Sequence, residues 1–292
     1  MSPTQRQILN WYRKANRKLP WRGTRNPYRV LLSEVMLQQT QVSRVLIKYP
    51  EFLRRFPNLE ALAKGRTQDV IRTWRGMGYN NRAIRLHQIA KLIHSSGAKF
   101  PTDVEELRRL PGVGKYTSHA VACFAFGKEL PVVDTNVNRV LRRLFPAMAR
   151  KRDVWDIAEQ ILPAKRAYDW NQALMDLGSL VCTAANPKCV VCPISRHCPS
   201  AFNVKRAAGG KRVRESGRNG IPNRIYRGRI VETLRNISAR NSISLDYLAS
   251  QVKPNFTQRD RPWLSRVLAG LQKDGLVRLA GKNGRLRVAL PD

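Results

Sequence analysis

The chain has 292 residues, 42% of them hydrophobic, and sets 54 Lys and Arg against 20 Asp and Glu for a formal net charge of +34. That apolar share is enough to bury a core and excludes a disordered chain. No run approaches the roughly 18 apolar residues that span a bilayer. An excess of positive charge this large calls for a polyanionic partner, nucleic acid by default, although a ribosome-bound or membrane-surface protein would share it.

The first residues, MSPTQRQILNWYRKANRKLPWRG, are polar and basic and lack the apolar core of a secretory signal. The expectation is a cytoplasmic, nucleoid-associated monomer. From residue 1 to about 200 the pattern is helical. Leu31, Leu32, Val35, Val42, Val45 and Leu46 recur at helical spacing, and similar spacing returns in 83–93, 104–110, 117–126, 135–145 and 154–162. Turn signals at 56–58, 76–78, 100–103 and 111–112 separate these stretches. No alternating run long enough for a sheet occurs here, so this part is expected to be all-α.

Residues 203–224 are rich in Gly and basic residues, with Glu215 as their one acid, which predicts a linker. Its charge suits either a phosphate backbone or a plain solvated tether. Residues 225–292 form a different unit, with helices predicted over 225–237, 244–252 and 261–273. After them, 276–279 and 285–288 flank Lys282-Asn283-Gly284, a strong hairpin signal. Three helices followed by a hairpin resembles a small α+β winged helix, whose third helix enters the major groove in DNA-binding modules. Folds of that kind also dock proteins.

Several short segments carry chemistry. Glu34 lies among Leu31, Val35 and Leu37, where a carboxyl with a raised pKa could serve as a general acid, or could be a helix-border residue facing solvent. Helical spacing puts Gln38 one turn further along the same face, beside Gln39. In Leu110-Pro111-Gly112-Val113-Gly114-Lys115-Tyr116-Thr117 two glycines precede a helix, whose first N–H groups would favour a phosphate. An ordinary helix–helix turn has the same signature. Asp134, in Val133-Asp134-Thr135-Asn136-Val137, suits a second carboxylate or simply an N-cap. Cys182, Cys189, Cys192 and Cys198 form a C-x6-C-x2-C-x5-C knot, while Cys123 sits apart in an apolar run. In a reducing compartment such a knot indicates a metal site, and its spacing suits zinc and an iron–sulfur cluster about equally.

Taken together these segments resemble the helix-hairpin-helix/Gly-Pro-Asp superfamily of DNA glycosylases, and within it the MutY adenine glycosylases. The resemblance rests on Leu19-Pro20-Trp21, Pro27-Tyr28-Arg29-Val30, the run from Ser33 to Val42, Gly76-Met77-Gly78-Tyr79, Leu110–Gly114, Val133–Val137, Met175-Asp176-Leu177-Gly178 and the cysteine knot, in order over residues 1–200. It implies a domain of residues 1–202, with a six-helix barrel over about 23–132 and a second subdomain joining 1–22 to 133–202. It implies a 4Fe-4S cluster on the four cysteines, and double-stranded DNA holding a mismatched or damaged base as partner, with the target nucleotide flipped out. The roles implied are Glu34 as acid toward the leaving base, Asp134 as stabiliser of the cationic sugar, and Tyr116 and Asn136 as its support. Gln38, Gln39 and Tyr79 would contact the stack around the flipped base, and Gly112, Gly114 and Lys115 the DNA backbone. Bifunctional relatives resembling endonuclease III carry a Schiff-base lysine where this chain has Tyr116, so a monofunctional hydrolase is expected. Lys115 is adjacent, but one residue turns a helical side chain by about 100°.

Two departures bear on specificity. The MutT-like C-terminal domain of the MutY glycosylases has no counterpart in residues 201–292, and Tyr79-Asn80-Asn81 lacks the family's second tyrosine. The expected reaction is excision of adenine opposite G or 8-oxoguanine. A thymine, uracil or modified-base glycosylase on the same scaffold is the alternative, and a non-catalytic DNA-binding protein the alternative of another class.

Overall fold

A computed structural model of the chain describes residues 1–97, 99–204, 215–238, 241–281 and 286–292. The chain divides into two compact units, one of Met1–Glu34 with Phe100–Gly210 and one of Val35–Lys99 with Lys211–Asp292.

Among its described residues the first unit contains helices and connecting loops and no strand. The expected helices over 104–110, 117–126, 135–145 and 154–162 are found as Val104–Arg108, Lys115–Phe126, Thr135–Leu144 and Val154–Gln160. Their starts are dictated locally, because Asp103, Asp134 and Asp153 each accept a hydrogen bond from a backbone N–H of the helix that follows. Ser2 and Gln5 close a reciprocal capping box on Pro3–Ala15. The Lys115–Phe126 helix stops at Gly127, whose φ of +69° only glycine adopts without strain. Ile8, Val137, Leu141, Trp170 and Leu174 meet in one buried cluster that joins the N-terminal helix to Thr135–Leu144 and Ala167–Asp176. A π-helical turn, Leu177–Val181, carries the chain from Asp176 into Cys182.

In the second unit, helices Val42–Arg55, Leu59–Lys64, Thr67–Thr73 and Asn81–Ser95 precede the C-terminal segment. There the predicted helices appear as Asn223–Arg235, Leu245–Val252 and Arg261–Lys273. Two strands are joined by a third that the sequence did not reveal. Ile243–Ser244 and Arg278–Ala280 both pair antiparallel with a central Arg287–Ala289. The strands start two residues later than the sequence pattern suggests. Leu276 and Val277 are buried directly after the helix stop at Gly275 and fill the core instead of a ladder. The Lys282-Asn283-Gly284 turn lies outside the described residues, as do 205–214 of the expected linker. Within the described part of that linker, Gly217–Arg218 and Ile221–Pro222 form a short hairpin.

One apolar cluster contains Tyr226, Ile230, Trp263 and Leu264 together with Ile71 and Ile84. Arg72 donates to the carbonyls of Arg235 and Ile237, and Arg235 returns a bond to the Ile71 carbonyl at 3.0 Å. Among the described residues no helix is long and apolar enough to cross a membrane.

Candidate active site

Glu34 sits in the Pro27–Leu37 helix and is 6% exposed. Tyr116, in the first turn of Lys115–Phe126, donates its hydroxyl to Glu34 Oε2 at 2.6 Å. Burial pushes the Glu34 carboxyl up to about 7, with the Asp134 charge acting in the same direction. The Tyr116 hydrogen bond and the Arg22 charge oppose that rise. A carboxyl so placed keeps a substantial protonated fraction near neutral pH and can deliver its proton. Burial also drives the Tyr116 hydroxyl well above its ordinary range, helped by Glu34 and Asp134, so it remains a donor.

Asp134 is the N-cap of Thr135–Leu144 and also part of a larger assembly, so the two sequence readings of it are compatible. Its Oδ1 accepts from the Val137 N–H at 2.6 Å, and its Oδ2 from the Asn136 amide at 2.9 Å. Both contacts are ones a carboxylate makes as acceptor. Asn136 Oδ1 accepts in turn from Arg139 Nη2 at 2.8 Å, which also donates to the Gly178 carbonyl at 2.6 Å. Arg139 Nε reaches the Cys182 carbonyl at 2.8 Å. One arginine therefore joins the aspartate's support to the first cysteine of the knot.

The approach is close because residue 178 has no side chain. A Cβ there would lie 2.7 Å from Asn136 Cβ and 3.0 Å from its carbonyl oxygen. Asp176, two residues earlier, is fully buried and ion-paired to Arg17 and Arg22 at 2.6 and 2.7 Å. That pairing holds Arg22, whose charge bears on Glu34. Gly178, Arg139 and Asp176 received no role from their residue types, and only their joint position reveals one.

Cys182, Cys189, Cys192 and Cys198 line a single cavity walled by Val140, Leu144 and Ile194, with Arg143 Nη1 donating to Cys182 Sγ at 3.3 Å. Burial raises the Cys192 and Cys198 thiols, and the neighbouring cysteines add to the rise. Four thiolates in an apolar hollow repel one another unless a cation neutralises them, so the donor set fits a metal group. Among the described residues no three His, Cys, Asp or Glu are placed to share one ion.

Between Leu107 and Lys115 the two glycines make the expected turn. Gly112 has φ +75°, and Gly114 is the N-cap of Lys115–Phe126 with open space where its Cβ would be. Lys115 sits with its ammonium 4.3 Å above the Trp155 ring.

In the second unit, the helix bearing Glu34 ends at Leu37, so Gln38 is in a turn and not one helical turn further on the same face. Gln39 follows with φ +54°, and Tyr79, 52% exposed, has φ +42°. Left-handed backbone at non-glycine residues costs about 1–3 kcal/mol and needs external support. Arg82 supplies it. Its buried guanidinium donates to the carbonyls of Val35, Met36, Gln38, Met77 and Gly78 and to Thr40 Oγ1, at 2.5 to 3.3 Å. Burial pulls its pKa down to about 10. An arginine amid the apolar residues of 81–95 was the only sign of this in the sequence.

Residues 32–164 match the family described as "HhH-GPD superfamily base excision DNA repair protein". An "Adenine DNA glycosylase" of Mycolicibacterium smegmatis is 38% identical over 97% of this chain and 98% of its own length. The human "Adenine DNA glycosylase" is 39% identical, but over 68% of this chain and 39% of its own. Similarity to the mycobacterial relative thus extends through the C-terminal segment. Among solved structures, a thermostable thymine-DNA glycosylase superposes with a TM-score of 0.63 at 32% identity, over 67% of this chain and 94% of that one.

Proposed function

The chain belongs to the adenine DNA glycosylases of the helix-hairpin-helix base excision repair superfamily, and from that premise we propose that it hydrolyses the N-glycosidic bond of adenine mispaired with G or 8-oxoguanine in double-stranded DNA. The observation that carries this reading is Glu34, buried with its carboxyl raised to about 7, bonded to Tyr116 and acted on by Asp134. The departing base is made neutral when Glu34 gives its proton to the ring at N7. Asp134, an acceptor toward Asn136 and the Val137 N–H, stabilises the positive charge that develops on the sugar. Two carboxyl groups in opposite protonation states divide the work, as in glycoside hydrolysis.

The target nucleotide must leave the stack for Glu34 to reach it, at a cost of roughly a few kcal/mol that is least at a mismatch. Gly112 and Gly114 would offer N–H groups to a phosphate, with Lys115 adding charge close by. Gln38, Gln39 and Tyr79 would occupy the stack around the vacated position. A 4Fe-4S cluster on Cys182, Cys189, Cys192 and Cys198 would tie the 182–198 loop together and supply the cation its thiolates call for. Four cysteines lining one apolar cavity support a metal group there. Residues 225–292 are taken as a winged-helix-like module. With tyrosine at 116 and the Lys115 ammonium over Trp155, the enzyme is monofunctional.

The test is single-turnover base release on duplexes holding A opposite 8-oxoguanine, G and C, and T or U opposite G, each read with and without alkali. Adenine release that needs alkali for strand cleavage supports the proposal. Release of T or U alone would favour the thymine reading, for which the 32% identity to a thymine-DNA glycosylase speaks.

A further inference from the structure

Every carboxyl side chain of residues 215–292 is ion-paired to an Arg or Lys. At the two ends of the Arg261–Lys273 helix, Asp260 is held by Arg218 and Lys253 at 2.8 and 3.0 Å, and Asp274 by Arg227. Three cations take no part in this pairing. Arg259, Arg266 and Lys273 are exposed, and among the described residues they make neither an ion pair nor a side-chain hydrogen bond. They lie seven residues apart in the sequence. In a helix seven residues are close to two turns and about 10.5 Å. Arg266 and Lys273 therefore share one face of Arg261–Lys273, and Arg259 stands in the turn that leads into it.

The rest of that face is small or polar, its other exposed residues being Pro262, Ser265, Ala269 and Gln272. The opposite face is fixed, because Trp263, Leu264, Val267, Leu268 and Leu271 are buried in one apolar cluster and the helix cannot roll. A row of cations with no counter-charge along a rigid helix is complementary to a polyanion. The shape narrows the choice of partner. A helix about 10–12 Å across fits the major groove of duplex DNA, about 12 Å wide, and Ser265 and Ala269 let its backbone approach the groove floor. The face offers no large aromatic or aliphatic side chain of the kind that anchors a protein partner.

Resting on the DNA-repair reading above, we infer that the exposed face of Arg261–Lys273 enters the major groove of duplex DNA and holds it whether or not a target base is present. Arg259, Arg266 and Lys273 meet phosphates, and the C-terminal segment thereby retains the enzyme on undamaged duplex.

The experiment uses the full chain and a fully matched, undamaged duplex, with the single strand alongside. Kd is measured over a range of salt for the wild type, for Arg266→Gln combined with Lys273→Gln, and for Ala269→Leu, with Tm as a check on folding. Arg54→Gln combined with Lys64→Gln removes the same charge from the exposed surface of Val42–Arg55 and Leu59–Lys64 and serves as the control. The Arg266 and Lys273 variant should bind the duplex about tenfold or more weakly and reduce the slope of log Kd against log salt by about two. Ala269→Leu keeps the charge and should weaken duplex binding about threefold or more through bulk alone, with the slope unchanged. The control should stay within about twofold of the wild type, since net charge alone is screened beyond about 10 Å at 0.1 M salt. A charge variant that binds like the wild type, a control that loses as much, or a loss confined to the single strand would overturn the inference. A wild type that binds no duplex would remove the DNA reading as well, so the two failures are told apart. The undamaged duplex holds no base to excise, and the outcome is independent of which base the enzyme releases.

Discussion

Replacing Glu34 by Gln should abolish base release while making the protein more stable at alkaline pH. The carboxyl is buried, and burial raises it from 4.5 to about 7. The folded state therefore binds this proton more tightly than the unfolded chain. The stability that Glu34 allows is fully present below about 4.5, falls as pH rises, and has reached its lower plateau once the folded carboxyl has ionised above about 7. At about 1.4 kcal/mol per tenfold change in proton affinity, the fall amounts to about 3 kcal/mol. Gln keeps the shape and an oxygen that can accept from Tyr116, but cannot ionise, so it escapes this loss. Variant minus wild-type unfolding free energy, from urea titrations followed by circular dichroism, should rise by about 3 kcal/mol between about pH 4 and pH 8 and then level off. Single-turnover base release should drop by at least about a hundredfold, the usual contribution of a positioned acid. A stability difference that is flat with pH would refute the burial argument. Undiminished release would remove Glu34 from the acid role.

The Tyr116 hydroxyl restrains the rise of the Glu34 carboxyl, so Tyr116→Phe should move the alkaline limb of the pH–rate profile upward from about 7; a downward shift would contradict the direction of that hydrogen bond. Gly178→Ala would push a methyl to 2.7 Å from Asn136 Cβ and should cost about 1–3 kcal/mol of overpacking, with a fall in kcat while DNA affinity, measured alongside, holds. An unchanged kcat would show that the Asn136 support of Asp134 does not depend on that close approach. Arg82→Met would leave buried carbonyls without their donor and should destabilise the fold by about 3 kcal/mol or more, seen as a lower urea midpoint and faster proteolysis at 38–41 and 77–79. Deleting 215–292 would expose Ile71 and Ile84, which share a core with Tyr226 and Leu264, so the truncated chain should precipitate or lose helicity on warming; a truncated chain with an unchanged melting curve would show that the shared core contributes little.

Much of this protein is legible in its sequence because the deciding forces there are local. Helix starts at Asp103, Asp134 and Asp153 follow from side chains that bond the next turn, and the stop at Gly127 follows from a left-handed residue. The helical glycosylase fold was visible through its motifs, and the resemblance those motifs carry marked Glu34, Asp134 and the four cysteines as candidates. What the sequence could not supply is whatever depends on groups distant along the chain meeting in space. That Glu34 is buried and titrates near 7 is set by the packing around it, and residue 82 reads as one more arginine until its guanidinium is seen closing two turns. The third strand, 243–244, is too short to signal itself and exists because Arg287–Ala289 offers it a partner. The shared core of Ile71, Ile84 and the C-terminal helices is likewise tertiary, because burial and hydrogen-bond satisfaction depend on which surfaces meet and local propensity does not encode that.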